Sequence, residues 1–179
     1  MRCRLLIVLL LVASSARAER SIELVGGLAA PFVNQDWRDH TKPTVKAGAR
    51  AIVQWPVGRF RLGFDAQLDL APIYDFDHAP TLRTRLLAGP RLGVLVSPRW
   101  QLFARGELGA DHIIASDCDH DLRFAIEVGL GLTRTAGAWR YGGQVNLPIA
   151  VGEEPMNRCY FVPRVSHDFD FLVTAQHAL

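Results

Sequence analysis

Residues 59–71 of this chain read RFRLGFDAQLDLA, and this stretch decides the fold. Apolar side chains alternate in it with charged or small ones: Phe60, Leu62, Phe64, Ala66, Leu68 and Leu70 against Arg59, Arg61, Gly63, Asp65, Gln67 and Asp69. A β-strand presents alternate residues to opposite sides, so the stretch predicts a strand with one apolar and one polar face. It is longer than the usual strand of about five or six residues. A strand of about 9–11 residues is long enough to cross a bilayer when tilted.

The same alternation occurs in eight segments of the chain. They are residues 21–32, 44–55, 59–71, 81–96, 100–112, 122–134, 139–151 and 160–173. Short connections (56–58, 97–99 and 135–138) alternate with longer ones that are rich in Asp, Asn, His and Pro (33–43, 72–80, 113–121 and 152–159). An even strand number with short turns at one end and long loops at the other is typical of bacterial outer-membrane barrels. We therefore predict an all-β fold, an eight-stranded antiparallel up-and-down transmembrane β-barrel with its short turns in the periplasm.

The first 18 residues have the features of a secretory signal peptide. Arg2 and Arg4 precede an apolar run at 5–13, and the sequence ARA at 16–18 places small residues where a signal peptidase cleaves. The run is shorter than the roughly 20 residues of a membrane-spanning helix. We predict that residues 1–18 are removed and that residues 19–179 form one outer-membrane barrel domain. A net charge of +2 argues neither for nor against a nucleic-acid partner, but export and the lack of a basic tract predict none.

Alternation alone does not tell which face is outside, because soluble eight-stranded barrels such as the lipocalins have an apolar interior. Glycines on the charged face favour a narrow polar lumen, since they leave room for long Arg and Glu side chains. They are Gly48, Gly63, Gly89, Gly93, Gly109, Gly129, Gly131 and Gly142. Trp55, Trp100 and Trp139 flank the three short turns on the apolar face, as in an interfacial aromatic girdle. We expect the apolar face to contact lipid; a soluble, lipocalin-like periplasmic carrier is the alternative.

With this strand count, turn pattern and girdle, the chain resembles the eight-stranded outer-membrane barrels of the OmpA/OmpX type. The resemblance covers residues 19–179 and is one of pattern, without a motif that determines function. It implies contact with outer-membrane phospholipid and lipopolysaccharide, and insertion by the barrel-assembly machinery. Such barrels end on an aromatic residue near the last position, and Phe169 and Phe171 are the match. Residues 172–179 follow this match and depart from the pattern, whereas the alternation predicts that the eighth strand ends near residue 173.

The polar face places many charges in the expected lumen. The basic ones are Lys46, Arg50, Arg59, Arg61, Arg83, Arg85, Arg91, Arg105, Arg123, Arg140 and Arg164, and the acidic ones are Glu23, Asp65, Asp69, Glu107, Asp111, Glu127, Asp168 and Asp170. An unpaired buried charge is costly. We therefore predict a network of ion pairs that closes the lumen. Because basic positions outnumber acidic ones, a narrow, anion-preferring water path is the alternative.

The long loops carry the remaining candidate groups. Cys118 and Cys159 lie in the third and fourth long loops, and an even pair in an oxidising compartment predicts a disulfide, with two free thiols as the alternative. Histidines and aspartates are frequent in the same loops, but their spacing matches no defined metal site. We predict no metal and no cofactor.

Ser166, His167 and Asp168 are the residue types of a hydrolase triad. Adjacent residues of a strand point to opposite faces, so Ser166 and His167 are not expected to meet. The sequence therefore predicts a non-enzymatic barrel, either structural or a surface-exposed binding protein whose loops contact an extracellular ligand. A lipid-modifying outer-membrane enzyme is the second alternative.

Overall fold

The computed structural model describes residues 18–32, 41–73, 81–114, 121–152 and 165–179. Eight strands follow one another: β1 (Glu19–Pro31), β2 (Thr44–Val57), β3 (Phe60–Ile73), β4 (Thr81–Ser97), β5 (Trp100–Ile114), β6 (Asp121–Ala136), β7 (Trp139–Val151) and β8 (Val165–Ala178). Each strand pairs antiparallel with the next, and β8 pairs with β1, so that the sheet closes. The predicted fold class is confirmed. Within the described ranges, no helix is long and apolar enough to span a membrane.

The end of the last strand differs from the prediction. The strand continues to Ala178 rather than ending near residue 173, and the Leu179 amide donates to the Arg20 carbonyl at 2.9 Å. The additional residues of β8 pair with the beginning of β1. This strand begins at Glu19, and Ser21 lies opposite Ala178 in the register. Small residues such as Ala175 and Ala178 conceal the alternation in the sequence. Residues 160–164, where the strand was expected to begin, lie outside the described residues.

The structure determines which face is outside. Leu86, Leu130 and Val173 are 62, 59 and 70% exposed on the outer surface, whereas Arg50 and Glu127 are 1 and 0% exposed inside. The polar face is therefore the interior, the reverse of a lipocalin-like barrel. The interior also holds apolar side chains that the sequence analysis did not place there: Val25, Ile52, Leu87, Phe103, Ile113 and Leu172.

Two kinds of glycine shape the barrel. Gly58 and Gly137 have positive φ angles of 60° and 65° in the β2–β3 and β6–β7 turns, a conformation that other residues rarely adopt. Gly131 faces the lumen, where a Cβ atom in its place would overlap the Phe103 ring. The absence of a side chain at Gly131 therefore makes room for this buried ring.

Candidate functional site

The centre of the lumen is a network of side chains that crosses the barrel. Arg105 of β5 forms ion pairs with Glu107 and with Glu127 of β6. Its Nη1 atom also donates to Gln67 Oε1 of β3 at 2.7 Å. Arg50 of β2 donates to the same oxygen through Nη2 at 2.6 Å. The two guanidinium groups thus share one amide oxygen, which joins three strands at the middle of the lumen.

A second cluster surrounds Lys46 of β2, nearer the long-loop end. Its Nζ atom lies 2.7 Å from Asp69 Oδ2 of β3, 2.7 Å from Asp170 Oδ2 of β8 and 3.4 Å from Glu127 Oε2. One ammonium group therefore contacts carboxylates from three other strands. Lys46 is 3% exposed, so these contacts are shielded from solvent.

The long-loop end of the lumen is closed by arginines. Arg83 of β4 pairs with Asp111 of β5 at 2.6 Å and with Asp168 of β8 at 2.5 Å. Arg85 reaches the same Asp168 oxygen at 2.5 Å. The cavity beside these side chains measures about 20 Å³, which is room for about one water molecule. These ion pairs therefore connect β8 to β4 and β5 across this end of the lumen.

The short-turn end is less tightly filled. Arg91 Nη1 donates to Asp65 Oδ2 at 3.1 Å, and its guanidinium lies 3.8 Å from the centre of the Phe103 ring. Below them, Glu19 at the rim pairs with Arg61 at 3.4 Å and with Arg140 at 3.2 Å. The mouth at this end is a cavity of about 250 Å³. Arg61 and Arg140 are half-buried rim residues rather than members of the central network.

The lumen holds a nearly balanced set of charges. Seven basic and eight acidic side chains are buried in the described part of the chain: Lys46, Arg50, Arg83, Arg85, Arg91, Arg105 and Arg123 against Glu23, Asp65, Asp69, Glu107, Asp111, Glu127, Asp168 and Asp170. Arg59 does not belong to this set. Because β3 begins at Phe60, Arg59 lies exposed in the preceding turn, with its guanidinium 5.4 Å from the Phe60 ring centre. Arg164 lies outside the described residues. The basic excess that suggested an anion path is absent from the described lumen.

The three predicted girdle tryptophans lie on the outer surface beside the short turns. Trp55 is half-buried, and Trp100 and Trp139 are exposed. The Arg134 guanidinium is 5.9 Å from the Trp100 ring, and the His177 ring meets Trp139 edge-on at 4.7 Å. This end of the outer surface therefore combines aromatic rings with positive charge.

Ser166 and His167 point to opposite sides of β8. Ser166 is fully buried in the lumen, where its hydroxyl accepts from Arg123 Nη1 at 3.1 Å, while His167 faces outward. These two residues therefore form no nucleophile–base pair. Cys118 and Cys159 lie outside the described residues, as do His40, His78 and His120. Among the residues whose placement is described, no group of three or more His, Cys, Asp or Glu side chains is arranged to hold a metal ion.

Neutral polar side chains also belong to this network, although the predicted network contains only charged residues. Gln67 Nε2 donates to Asp69 at 3.1 Å and to Glu127 at 3.2 Å, while its oxygen accepts from both central arginines. Gln144 accepts from Arg50 Nη1 at 3.2 Å. Both glutamines lie at polar-face positions of their strands, so the alternation contains the signal.

Comparisons with known proteins identify the architecture. No family model matches the chain, and no curated protein matches its sequence. The crystal structure of Neisserial surface protein A is similar, with a TM-score of 0.53, 8% sequence identity, and coverage of 90% of this chain and 97% of that one. The crystal structure of Ail from Yersinia pestis is 11% identical with a TM-score of 0.46, over 89% of this chain and 96% of that one.

The fold is that of the small outer-membrane β-barrels of the OmpA/OmpX type, as the sequence pattern predicts. Sequence identities this low show the architecture alone. The function has to be argued from the chain's own residues.

Proposed function

We propose that this protein is a non-enzymatic outer-membrane barrel, exported by its N-terminal signal peptide and inserted by the barrel-assembly machinery. Its part in the membrane is structural, or it is a scaffold for loops that bind at the cell surface. The observation that carries the proposal is the cross-linked lumen, in which Lys46, Arg50 and Arg105 each contact side chains from other strands.

The lumen supports a structural role rather than transport. A solute would have to separate several buried ion pairs, and an uncompensated buried charge costs about 3–5 kcal/mol. The same pairs join opposite walls of the barrel, so they also stiffen it. Loops on a rigid scaffold are where binding residues are commonly found.

The outer surface supports a membrane location. Large apolar side chains cover it from β1 to β8, and aromatic residues lie at its short-turn end. Phospholipid and lipopolysaccharide are therefore the expected neighbours of this surface. With the short turns in the periplasm, the four long loops at the other end of the barrel lie outside the cell.

The first experiment is a heat-shift gel on the protein extracted from outer-membrane and soluble fractions. Folded barrels of this kind resist the gel detergent, so we expect membrane-bound protein whose mobility changes only after boiling. Protein that is soluble without detergent, with no mobility change, would overturn the membrane proposal.

The second experiment measures ion currents through the purified barrel in planar lipid bilayers. A lumen closed by ion pairs predicts no stepwise conductance at neutral pH. Reproducible anion-selective steps from the wild-type protein would contradict the closed lumen while leaving the membrane location intact.

A further inference from the structure

Four arginines surround the short-turn end of the barrel on its outer side. Arg20 and Arg134 are exposed at the ends of β1 and β6, and Arg59 and Arg99 are exposed in the turns before β3 and β5. In the lumen every arginine cluster is matched by carboxylates. By contrast, none of these four has an ion-pair partner among the residues that the structure describes. They therefore present positive charge to whatever surrounds this rim.

A groove of about 500 Å³ runs along the apolar outer surface above one part of this rim. Its floor is Gly143 of β7, which lies in register between Leu132 of β6 and Val173 of β8. Because Gly143 lacks a side chain, the flanking residues form walls around a depression. The walls are Leu102, Leu130, Leu132, Val145, Phe171 and Val173. It is a shallow depression that is open along the barrel surface.

The strand register places two of the four arginines beyond the short-turn end of the groove. On β6, the outward residue that follows Leu132 is Arg134, and on β5 the outward residue before Leu102 is Trp100. Arg134 lies against the Trp100 ring, and the carbonyl of Arg99 accepts from the Thr135 amide at 2.8 Å. The backbones of Arg99 and Arg134 are therefore neighbours, at the interfacial end of an apolar groove.

We propose that this face binds one anionic glycerophospholipid of the periplasmic leaflet. Its phosphate lies at Arg99 and Arg134, and one of its acyl chains lies in the groove over Gly143. Guanidinium groups pair well with phosphate oxygens, and an aromatic ring at this depth is compatible with a lipid headgroup. The proposal rests on the proposed function, because the short-turn end has to face the periplasm.

Charge complementarity favours an anionic lipid over a zwitterionic one. A basic residue near a bilayer attracts anionic headgroups, and two arginines on neighbouring backbone positions, without an ion-pair partner among the described residues, add their attractions. Arg20 and Arg59 are at the same end, on β1 and the β2–β3 turn, and neither belongs to an element that lines the groove. They attract anionic headgroups through their charge but do not have the apolar groove beside them. They are therefore a matched control for Arg99 and Arg134.

The test uses tryptophan quenching by brominated lipids in vesicles. A W37F/W55F background leaves Trp100 and Trp139 as the only tryptophans of the four in the chain. Both lie beside the short turns, close to the groove. Trace brominated phosphatidylglycerol is compared with trace brominated phosphatidylcholine in phosphatidylcholine vesicles. We expect the background protein to favour the phosphatidylglycerol, and R99Q/R134Q to lower that preference by about 5- to 30-fold. R20Q/R59Q, which removes the same charge, should retain most of it.

A second pair of variants tests the groove. G143L fills its floor, and a Cβ atom at Gly143 meets only the Leu172 carbonyl oxygen at 3.6 Å. G106L is the control, because Gly106 also points outward and a Cβ there has nothing within 4 Å. We expect G143L to lose the preference for phosphatidylglycerol and G106L to keep it. The heat-shift gel verifies that all variants fold.

The outcomes separate this site from the proposed function. A background protein that stays in solution without detergent and shows no heat-dependent mobility change would overturn the membrane location and this site together. Equal quenching by both lipids in the background protein would overturn the site alone; binding to peptidoglycan would then be the next explanation for the arginines. Equal losses in R99Q/R134Q and R20Q/R59Q would also overturn it, because they would show a diffuse charge effect.

Discussion

Glu127 is the residue on which the central network converges. Its carboxylate pairs with Arg105, lies 3.4 Å from Lys46 Nζ and accepts from Gln67 Nε2 at 3.2 Å, and its side chain is 0% exposed. We expect E127Q to lower the free energy of unfolding by about 3 kcal/mol, because two buried cations lose part of their compensation. Urea unfolding of the protein in lipid vesicles, followed by tryptophan fluorescence, measures this change.

Glu19 provides the control for Glu127. It also pairs with two arginines, at 3.4 and 3.2 Å, but its side chain is 39% exposed at the rim. Solvent weakens such pairs, so E19Q should cost only about 0–1 kcal/mol. Similar losses for the two variants would show that burial of the network does not determine its contribution to stability.

Gly131 tests whether the lumen is packed as tightly as its contacts indicate. A methyl group at this position would overlap the Phe103 ring, so G131A should destabilise the barrel by about 1–3 kcal/mol. G143A, on the outer face of β7, should be neutral or slightly stabilising, since the added atom has space. Reducing the ring in G131A/F103L should recover part of the loss. No recovery in the same urea titration would argue against this contact as the cause.

At the scale of the strands, the alternation of apolar and polar residues is sufficient to predict most strand boundaries. The first seven strands begin and end within two residues of the predicted segments, because each has an apolar face against a charged or glycine-rich one. The last strand was predicted too short. Its final residues read TAQHAL, in which alanine and histidine replace the large apolar side chains that mark the outer face elsewhere. The C-terminal end of β8 is determined by its pairing with β1. The periodicity of a single strand does not reveal how far such pairing extends.

The C-terminal residues therefore have a testable role in closing the barrel. Deleting residues 175–179 removes the pairs of Leu24 with Ala175, Glu23 with Gln176 and Ile22 with His177. It also removes the corresponding pairs with β7. We expect a smaller folded fraction on the heat-shift gel and a lower urea midpoint, because backbone groups of β1 and β7 lose their partners.

Q176A separates the backbone from the side chain in this region. It keeps the strand and removes only the hydrogen bond from Gln176 Nε2 to Ser21 Oγ at 2.7 Å. Its effect should be much smaller than that of the deletion. A deletion that folds as well as the full chain would mean that the barrel does not need this segment.

At the scale of the whole molecule, the alternation of apolar and polar residues predicts a charged lumen. It does not predict which basic side chain pairs with which carboxylate. Arg50 and Glu23 are 27 positions apart, and Lys46 and Asp170 are 124 apart. Which cation meets which carboxylate depends on strand stagger and on side-chain length across a closed barrel. Arg59 shows a similar limit at a strand boundary. Strand β3 begins one residue later than predicted, at Phe60, so Arg59 lies in the turn and outside the lumen.

A charge placed on the outer face tests the environment of the whole barrel. Val128 is 50% exposed near the middle of β6, and Val57 is 54% exposed at the end of β2 beside a short turn. In a bilayer, an arginine at the midplane costs about 2–4 kcal/mol and one near the interface about 0–1. We therefore expect V128R to lower stability in vesicles far more than V57R, as measured by urea unfolding. A soluble barrel would place both side chains in water, and the two variants would then have similar, small effects. The depth dependence therefore tests for lipid around β6, whatever the protein binds at its loops.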